Sequence, residues 1–155
     1  MDGTLNALEI LERCRGGADE IRQMEDTLAF RRDTLTRCTQ SVTGMPRGGA
    51  MEDKIGTLTA ELMDGTQRLN RRRRAHAAER CAAVWILDML PERERAVMQR
   101  YYCQNMTLRA IAAEIHYSLS SVNRFRARGE AICAEITPEQ MAGFLPEWYE
   151  NEAGE

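Results

Sequence analysis

Apolar positions recur at helical spacing along the first quarter of the chain. Ile10, Gly17, Met24, Arg31 and Cys38 repeat every seven residues, and Cys14, Ile21, Leu28 and Leu35 repeat on the neighbouring row. Alternating four- and three-residue steps place both rows on one stripe of a helix. The pattern predicts a long helix over residues 5–38, weakened at Gly16-Gly17 because glycine disfavours helix interiors. Residues 40–50, QSVTGMPRGGA, lose the periodicity and cluster Gly44, Pro46, Gly48 and Gly49, which predicts a loop. A second helical pattern follows from about Glu52 to Leu90. Its heptad row is Ile55, Leu62, Leu69, His76 and Ala83, with Leu58 beside it and Val84, Leu87 and Leu90 extending the apolar face. Two long amphipathic helices joined by such a loop predict an antiparallel, coiled-coil-like hairpin. The same stripes could face a second copy instead, giving a homodimer or higher oligomer.

The pattern shortens after Pro91. Pro91 to Cys103 reads as one short helix, opened by proline at its first position, where a missing N–H costs nothing. Gln104-Asn105-Met106 reads as a turn, Thr107 as the cap of a helix through Ile115, and Ser118 as the cap of a third helix that can run to Ile136. Thr137-Pro138-Glu139-Gln140 carries the signature of a capping box, with Gly143 as the stop. Phe144, Leu145, Trp148 and Tyr149 are expected to pack back on the body. The expected organisation is all-α: a hairpin over 1–88, a three-helix unit over 89–136, and a short helix with an acidic tail over 137–155.

Composition changes this picture in one respect. The net charge of −3 conceals an uneven distribution: residues 1–67 carry −4, residues 68–133 carry +7, and residues 134–155 carry −6. A basic middle between acidic ends suits one anion-facing surface. Part of that charge is the run QRLNRRRRAHAAER, with Arg71, Arg72, Arg73 and Arg74 consecutive. Four consecutive helical residues span more than one turn and cannot all face one partner. The run therefore reads either as a solvated helix surface or as a phosphate-contacting patch.

Other chemistry is sparse. Cys14, Cys38, Cys81, Cys103 and Cys133 form no CxxC pair, so they read as reduced thiols packed on helix faces. His76 lies on an apolar row and reads as a packed histidine. No glycine-rich phosphate loop, metal-ligand cluster or nucleophile beside a His/Asp pair stands out. No enzyme activity, cofactor or metal is expected. No apolar run approaches the roughly 20 residues that span a bilayer, and MDGTLNALEI lacks the pattern of a signal peptide. The expected location is the cytoplasm, without a membrane partner.

The third short helix carries the most specific pattern. Counted at about 100° per residue, Leu119, Val122, Phe125, Gly129, Ile132 and Ile136 fall on one side. That side is placed to pack on Ile111, Ala112 and Ile115 of the second helix and on Val97, Met98 and Tyr101 of the first. The opposite side presents Ser120, Asn123, Arg124, Ala127 and Arg128. A recognition helix enters the major groove in that way, its N-terminal residues toward the bases. Arginine can pair with guanine O6/N7 and asparagine with adenine N6/N7.

The stretch LPERERAVMQRYYCQNMTLRAIAAEIHYSLSSVNRFRARGEAI resembles region 4 of bacterial sigma factors, the helix-turn-helix that reads the promoter −35 element. The likeness rests on Leu90-Pro91, Glu92-Arg93-Glu94-Arg95, Val97-Met98, Tyr101-Tyr102, Thr107, Ile111-Ala112, Ile115, Ser118 and Val122. It implies base contacts by Leu119, Ser120, Asn123 and Arg124, and phosphate contacts by Arg109, Ser118 and Arg128. Sigma factors usually hold glycine where this chain has His116, which must then adopt the left-handed conformation, and histidine is among the residue types that tolerate it. With GMPRG at residues 44–48, the whole chain resembles short phage and prophage regulators that join a helical N-terminal region to a sigma-region-4-like domain. The resemblance implies a cytoplasmic regulator in a bacterial host, with double-stranded DNA as partner and RNA polymerase as a second one. Nothing in residues 1–90 resembles the sigma domain that melts the −10 element. Two other classes share the same parts: a DNA-packaging component resembling a phage terminase small subunit, and an anti-sigma-like polymerase-binding protein.

Overall fold

The computed structural model describes residues 5–42 and 49–150. Among them the chain is helical throughout, without strands. Helix α1 spans Ala7–Val42, α2 spans Gly49–Asp88 and α3 spans Glu92–Met98; a π-helical turn, Gln99–Cys103, follows α3. Helix α4 is Leu108–Ile115, α5 is Leu119–Ala134 and α6 is Pro138–Met141. The all-α expectation therefore holds. The long helices reach further into the expected loop than the glycine and proline cluster suggested, and the central GMPRG of that loop lies outside the described residues. Helix α1 runs unbroken through Gly16-Gly17, so the weak point expected there does not interrupt it.

By contacts the chain falls into two units, residues 19–74 and residues 5–18 with 75–150. This division crosses both long helices, whereas the sequence pattern changes near residue 88. In the unit of residues 19–74, the two helices run antiparallel: Glu20 meets Arg72, and Leu28 lies against Gly65. A methyl group added at Gly65 would stand 2.6 Å from Leu28 Cδ2, so the missing side chain allows the helices to approach closely there. Leu28 and Leu69 are buried, but Phe30 and Met63 are 73% and 62% exposed. A two-helix layer has little interior to offer.

The other unit holds a larger core. Ala7, Ile10, Leu11 and Cys14 of α1 pack with Ala82, Ala83, Ile86 and Leu87 of α2, and with Met98, Tyr102, Cys133, Ile136, Met141 and Tyr149. His76 is half-buried, with Nε2 3.1 Å from the Cys14 carbonyl oxygen, in keeping with its reading as a packed histidine. Val84, expected on the apolar face, is 52% exposed, as is Trp85 beside it at 59%. The core is reached through Ala83, Ile86 and Leu87, which leaves Val84 on the flank. Thr137 and Gln140 form both bonds of the expected capping box, and Tyr149 is buried while Phe144, Leu145 and Trp148 pack partly against the core. No described helix is long and apolar enough to cross a membrane.

Candidate nucleic-acid interface

Helices α4 and α5 meet through a three-residue turn, His116 to Ser118. Thr107 caps α4 by accepting the Ala110 N–H at 3.2 Å, and Ser118 caps α5 by accepting the Ser121 N–H at 3.1 Å. Both satisfy amide donors that a helix start leaves open. Between them His116 takes φ 60° and ψ 39°, a left-handed conformation, and its N–H reaches back to the Ala112 carbonyl. That geometry ends α4 and swings the chain into α5. Histidine therefore occupies the backbone state that glycine would adopt more easily. Pro91, expected at the first helical position of α3, instead precedes it as the cap, and the Arg95 N–H donates to its carbonyl at 2.9 Å.

The inward side of α5 matches the sequence count with one exception. Val122 and Phe125 close a small core with Val97 and Ile111, flanked by Tyr101, Met106, Leu108, Ala112 and Ile115. Further along, Cys133 joins the larger core. Gly129 faces Met98, whose Cγ would be 2.8 Å from an added methyl, so α5 can sit close to α3 only without a side chain there. The exception is Leu119, 39% exposed. It lies roughly 80° from the centre of the packed face, at the first turn of the helix, and so stands at the edge of the packed side.

The outward side of α5 presents Ser120, Asn123, Arg124, Ala127 and Arg128, all exposed, with Ser118 and Leu119 at its N-terminus. Arg109 of α4 is exposed as well. Arg124 donates from Nη2 to the Ser121 hydroxyl at 3.3 Å, which steadies the guanidinium without neutralising it. Among the described residues no ion pair holds Arg109, Arg124 or Arg128. The surface combines small polar groups, an amide and guanidinium donors at a helix N-terminus, and can donate to base edges and phosphate oxygens.

Behind this surface lies a support that the sequence did not indicate. Arg15 of α1 stacks on the Tyr101 ring, its Cζ 3.8 Å from the centroid, and Arg126 of α5 stacks on the same ring at 4.4 Å. Arg15 also donates to the carbonyls of Tyr101 and Met106. Glu130 accepts from Arg126 Nε at 2.8 Å and from the Tyr102 hydroxyl at 2.9 Å. Burial first, and then the bond to Glu130, raise the Tyr102 phenol well above its ordinary value. Asn105 takes φ 53°, a second left-handed position, between the π-helical turn and α4. In the turn after α4, Tyr117 stands edge-on to Phe125 at 5.2 Å. The four-residue step from Arg126 to Glu130 was a readable signal; nothing in the sequence marked Arg15, 86 residues from Tyr101.

The arginine run belongs to the unit of residues 19–74. Arg72 Nε lies 2.9 Å from Glu20 Oε2, and Arg73 Nη2 lies 2.6 Å from Glu25 Oε1. Arg71 and Arg74 are exposed. Arg72 and Arg73 thus hold carboxylates of the facing helix.

The family model described as "Sigma-70, region 4" matches residues 86–129, from the last turn of α2 to Gly129 of α5. Neither the curated proteins nor the solved structures gave a match to the chain. The matched stretch covers α3, the π-helical turn, α4 and the presented part of α5, so this segment is a sigma-region-4-like helix-turn-helix domain.

Proposed function

We propose that this protein is a sequence-specific, duplex-DNA-binding regulator of transcription, of phage or prophage origin, and not an enzyme. Helix α5 lies in the major groove, with Leu119, Ser120, Asn123 and Arg124 toward base edges. Arg109, Ser118 and Arg128 hold phosphates on either side. The observation that carries this reading is the outward face of α5. It is polar, exposed and not engaged by carboxylates among the described residues, in a segment that matches a promoter-reading family. Arg71 to Arg74 are a further phosphate contact, for which Arg72 and Arg73 exchange Glu20 and Glu25 for phosphate. RNA polymerase is proposed as a second partner, as the resemblance to sigma region 4 implies. The phage origin is supported by the resemblance of the hairpin plan and the GMPRG stretch.

Selection of bound sequences from random duplex DNA tests the proposal. A short recurring site should emerge, held more tightly than scrambled DNA by the 10³-fold or more usual for specific readers. Recovery of no common sequence would overturn it. The packaging reading keeps one supporting observation, the exposure of Phe30 and Met63 on the hairpin, which an assembly of many copies would cover. A ring of many subunits in solution would favour it, and a monomer or dimer would favour regulation.

A further inference from the structure

In the unit of residues 5–18 and 75–150, one side chain packs against both cores. Tyr101 flanks the small core of Val97, Ile111, Val122 and Phe125, which backs α5, and it also borders the core built on α1 and α2. Two guanidiniums share its ring: Arg15 of α1, with Cζ 3.8 Å from the centroid, and Arg126 of α5, at 4.4 Å. The electron-rich face of the ring attracts both cations.

Each guanidinium has further partners. Arg126 donates from Nε to Glu130 at 2.8 Å, one turn along α5, and Glu130 also accepts the Tyr102 hydroxyl at 2.9 Å. The π-helical turn is thus joined to α5 through two adjacent residues, Tyr101 and Tyr102. Arg15, half-buried, donates from Nη1 to the carbonyls of Tyr101 and Met106. Carbonyls at the end of a helix lack an amide of the next turn, and here the donor comes from α1. The backbone between those two carbonyls is irregular. Asn105 is left-handed at φ 53°, the Gln104 N–H donates to the Gln99 carbonyl at 3.3 Å, and the Met106 N–H donates to the Arg100 carbonyl at 3.0 Å. Arg15 therefore grips this link at both ends. A planar guanidinium can stack on a ring while its N–H groups donate in plane, and a lysine ammonium cannot do both.

We infer that Arg15 is a positioning residue for the reading helix: by holding the Tyr101 ring and the irregular link before α4, it lets α1 set where α5 stands. This rests on the proposed DNA-reading role of α5. The stretch that matches the sigma family, residues 86–129, contains Tyr101 and Arg126 but not Arg15. The reader is thus completed by a residue outside its own helix-turn-helix. Arg15 meets neither base nor phosphate in this role and acts through Tyr101 and Arg126. Base contacts need directional placement, whereas attraction to the phosphate backbone does not. Loss of Arg15 therefore weakens a specific site and spares scrambled DNA.

The test uses the full chain and the duplex site it selects, with every variant compared at a temperature where circular dichroism shows it folded. Arg15→Gln should weaken the selected site by about 5-fold or more, the lower end of ordinary coupling between distant sites. Affinity for scrambled DNA and the salt slope should stay in place. Arg15→Lys keeps the charge and should lose affinity in the same way; should Arg15→Gln fail to fold, it carries the comparison. Tyr101→Phe keeps the ring and should bind as the parent does, whereas Tyr101→Leu should behave as Arg15→Gln. Hydrogen exchange at the Gln104 and Met106 amides should quicken in both Arg15 variants. Site affinity equal to the parent's, an equal loss on scrambled DNA, or unchanged exchange at those amides would each overturn the proposal. A salt slope flattened by about 0.9 would overturn it as well, by making Arg15 a phosphate contact. If the parent selects no sequence, the reading role of α5 fails by itself. Exchange at the Glu130 amide then decides for Arg15: faster exchange in the variants upholds the hold of α1 on α5, and unchanged exchange removes it.

Discussion

Two regions of this molecule carry exposed arginines on long-range amphipathic scaffolds, and they use them differently. On α5 the helix buries Val122, Phe125 and Gly129 behind it, and the outward arginines, Arg124 and Arg128, hold no carboxylate among the described residues. On α2 the helix has only α1 to pack on in the unit of residues 19–74, and two members of the arginine run hold Glu20 and Glu25. A guanidinium backed by a packed core can be presented to a partner. One on a thin hairpin is drawn to the carboxylates of the facing helix. Density of positive charge in a sequence therefore does not by itself say which guanidinium groups a facing helix engages.

The sharpest way to break that comparison uses the same residue type in both regions. Phe125 is 7% exposed and Phe30 is 73% exposed. Phe125→Ala removes a ring from the small core that positions α5, together with its edge contact to Tyr117, and should cost about 3 kcal/mol. Phe30→Ala should stay within about 0.5 kcal/mol. Denaturant unfolding of both variants measures the difference, and equal losses would mean that the hairpin face around Phe30 is covered in solution.

The next effect is on recognition. Arg124→Ala should weaken the selected site by about 1–3 kcal/mol and relax one base position, while thermal stability barely changes because the side chain is exposed. A uniform loss across all sequences would make Arg124 a phosphate contact. An unchanged affinity would remove α5 as the reading helix.

These expectations rest on parts of the fold that sequence pattern displays well. The caps at Thr107, Ser118 and Thr137 each place a hydroxyl before a helical repeat, and each is found bonded to the amide three residues on. The inward face of α5 follows from periodicity because Val122, Phe125 and Gly129 recur at the spacing of a packed helix. Periodicity does less well at its edge, as Leu119 and Val84 show, since a residue between two faces is decided by what stands opposite. The π-helical turn, the left-handed Asn105 and the grip of Arg15 on Tyr101 were not legible at all. The grip of Arg15 on Tyr101 is a contact between residues distant in the chain, and no local repeat records such a contact. The same is true of the carboxylates that engage Arg72 and Arg73.

His116 offers a smaller and more local test. Its left-handed backbone costs a residue with a Cβ roughly 1–2 kcal/mol, part of which glycine would return through its greater freedom in the unfolded chain. His116→Gly should therefore stabilise by about 0.5 kcal/mol, and His116→Val should destabilise by more than about 1 kcal/mol, since a branched Cβ tolerates φ above zero poorly. Binding by the glycine variant should be unaltered, because the turn keeps its shape. A loss of binding in that variant at unchanged stability would give the His116 ring its own part in DNA contact.

The effect of the arginine run is read as a slope. Each phosphate contact contributes about −0.9 to the dependence of log affinity on log salt for duplex DNA. Removing Arg109 and Arg128 together should flatten that slope by close to 2. If all four residues from Arg71 to Arg74 meet phosphate, their replacement by alanine should flatten it by 3 to 4. If Arg72 and Arg73 keep their carboxylates, replacing those two alone should leave the slope in place. The double change should then cost only the roughly 0–1 kcal/mol per pair expected of exposed ion pairs. The two-residue variant separates these cases, because Glu20 and Glu25 compete with phosphate for the same guanidinium groups. A slope that falls by nearly 2 would show that DNA wins that competition, and would place the hairpin arginines on the same footing as those of α5.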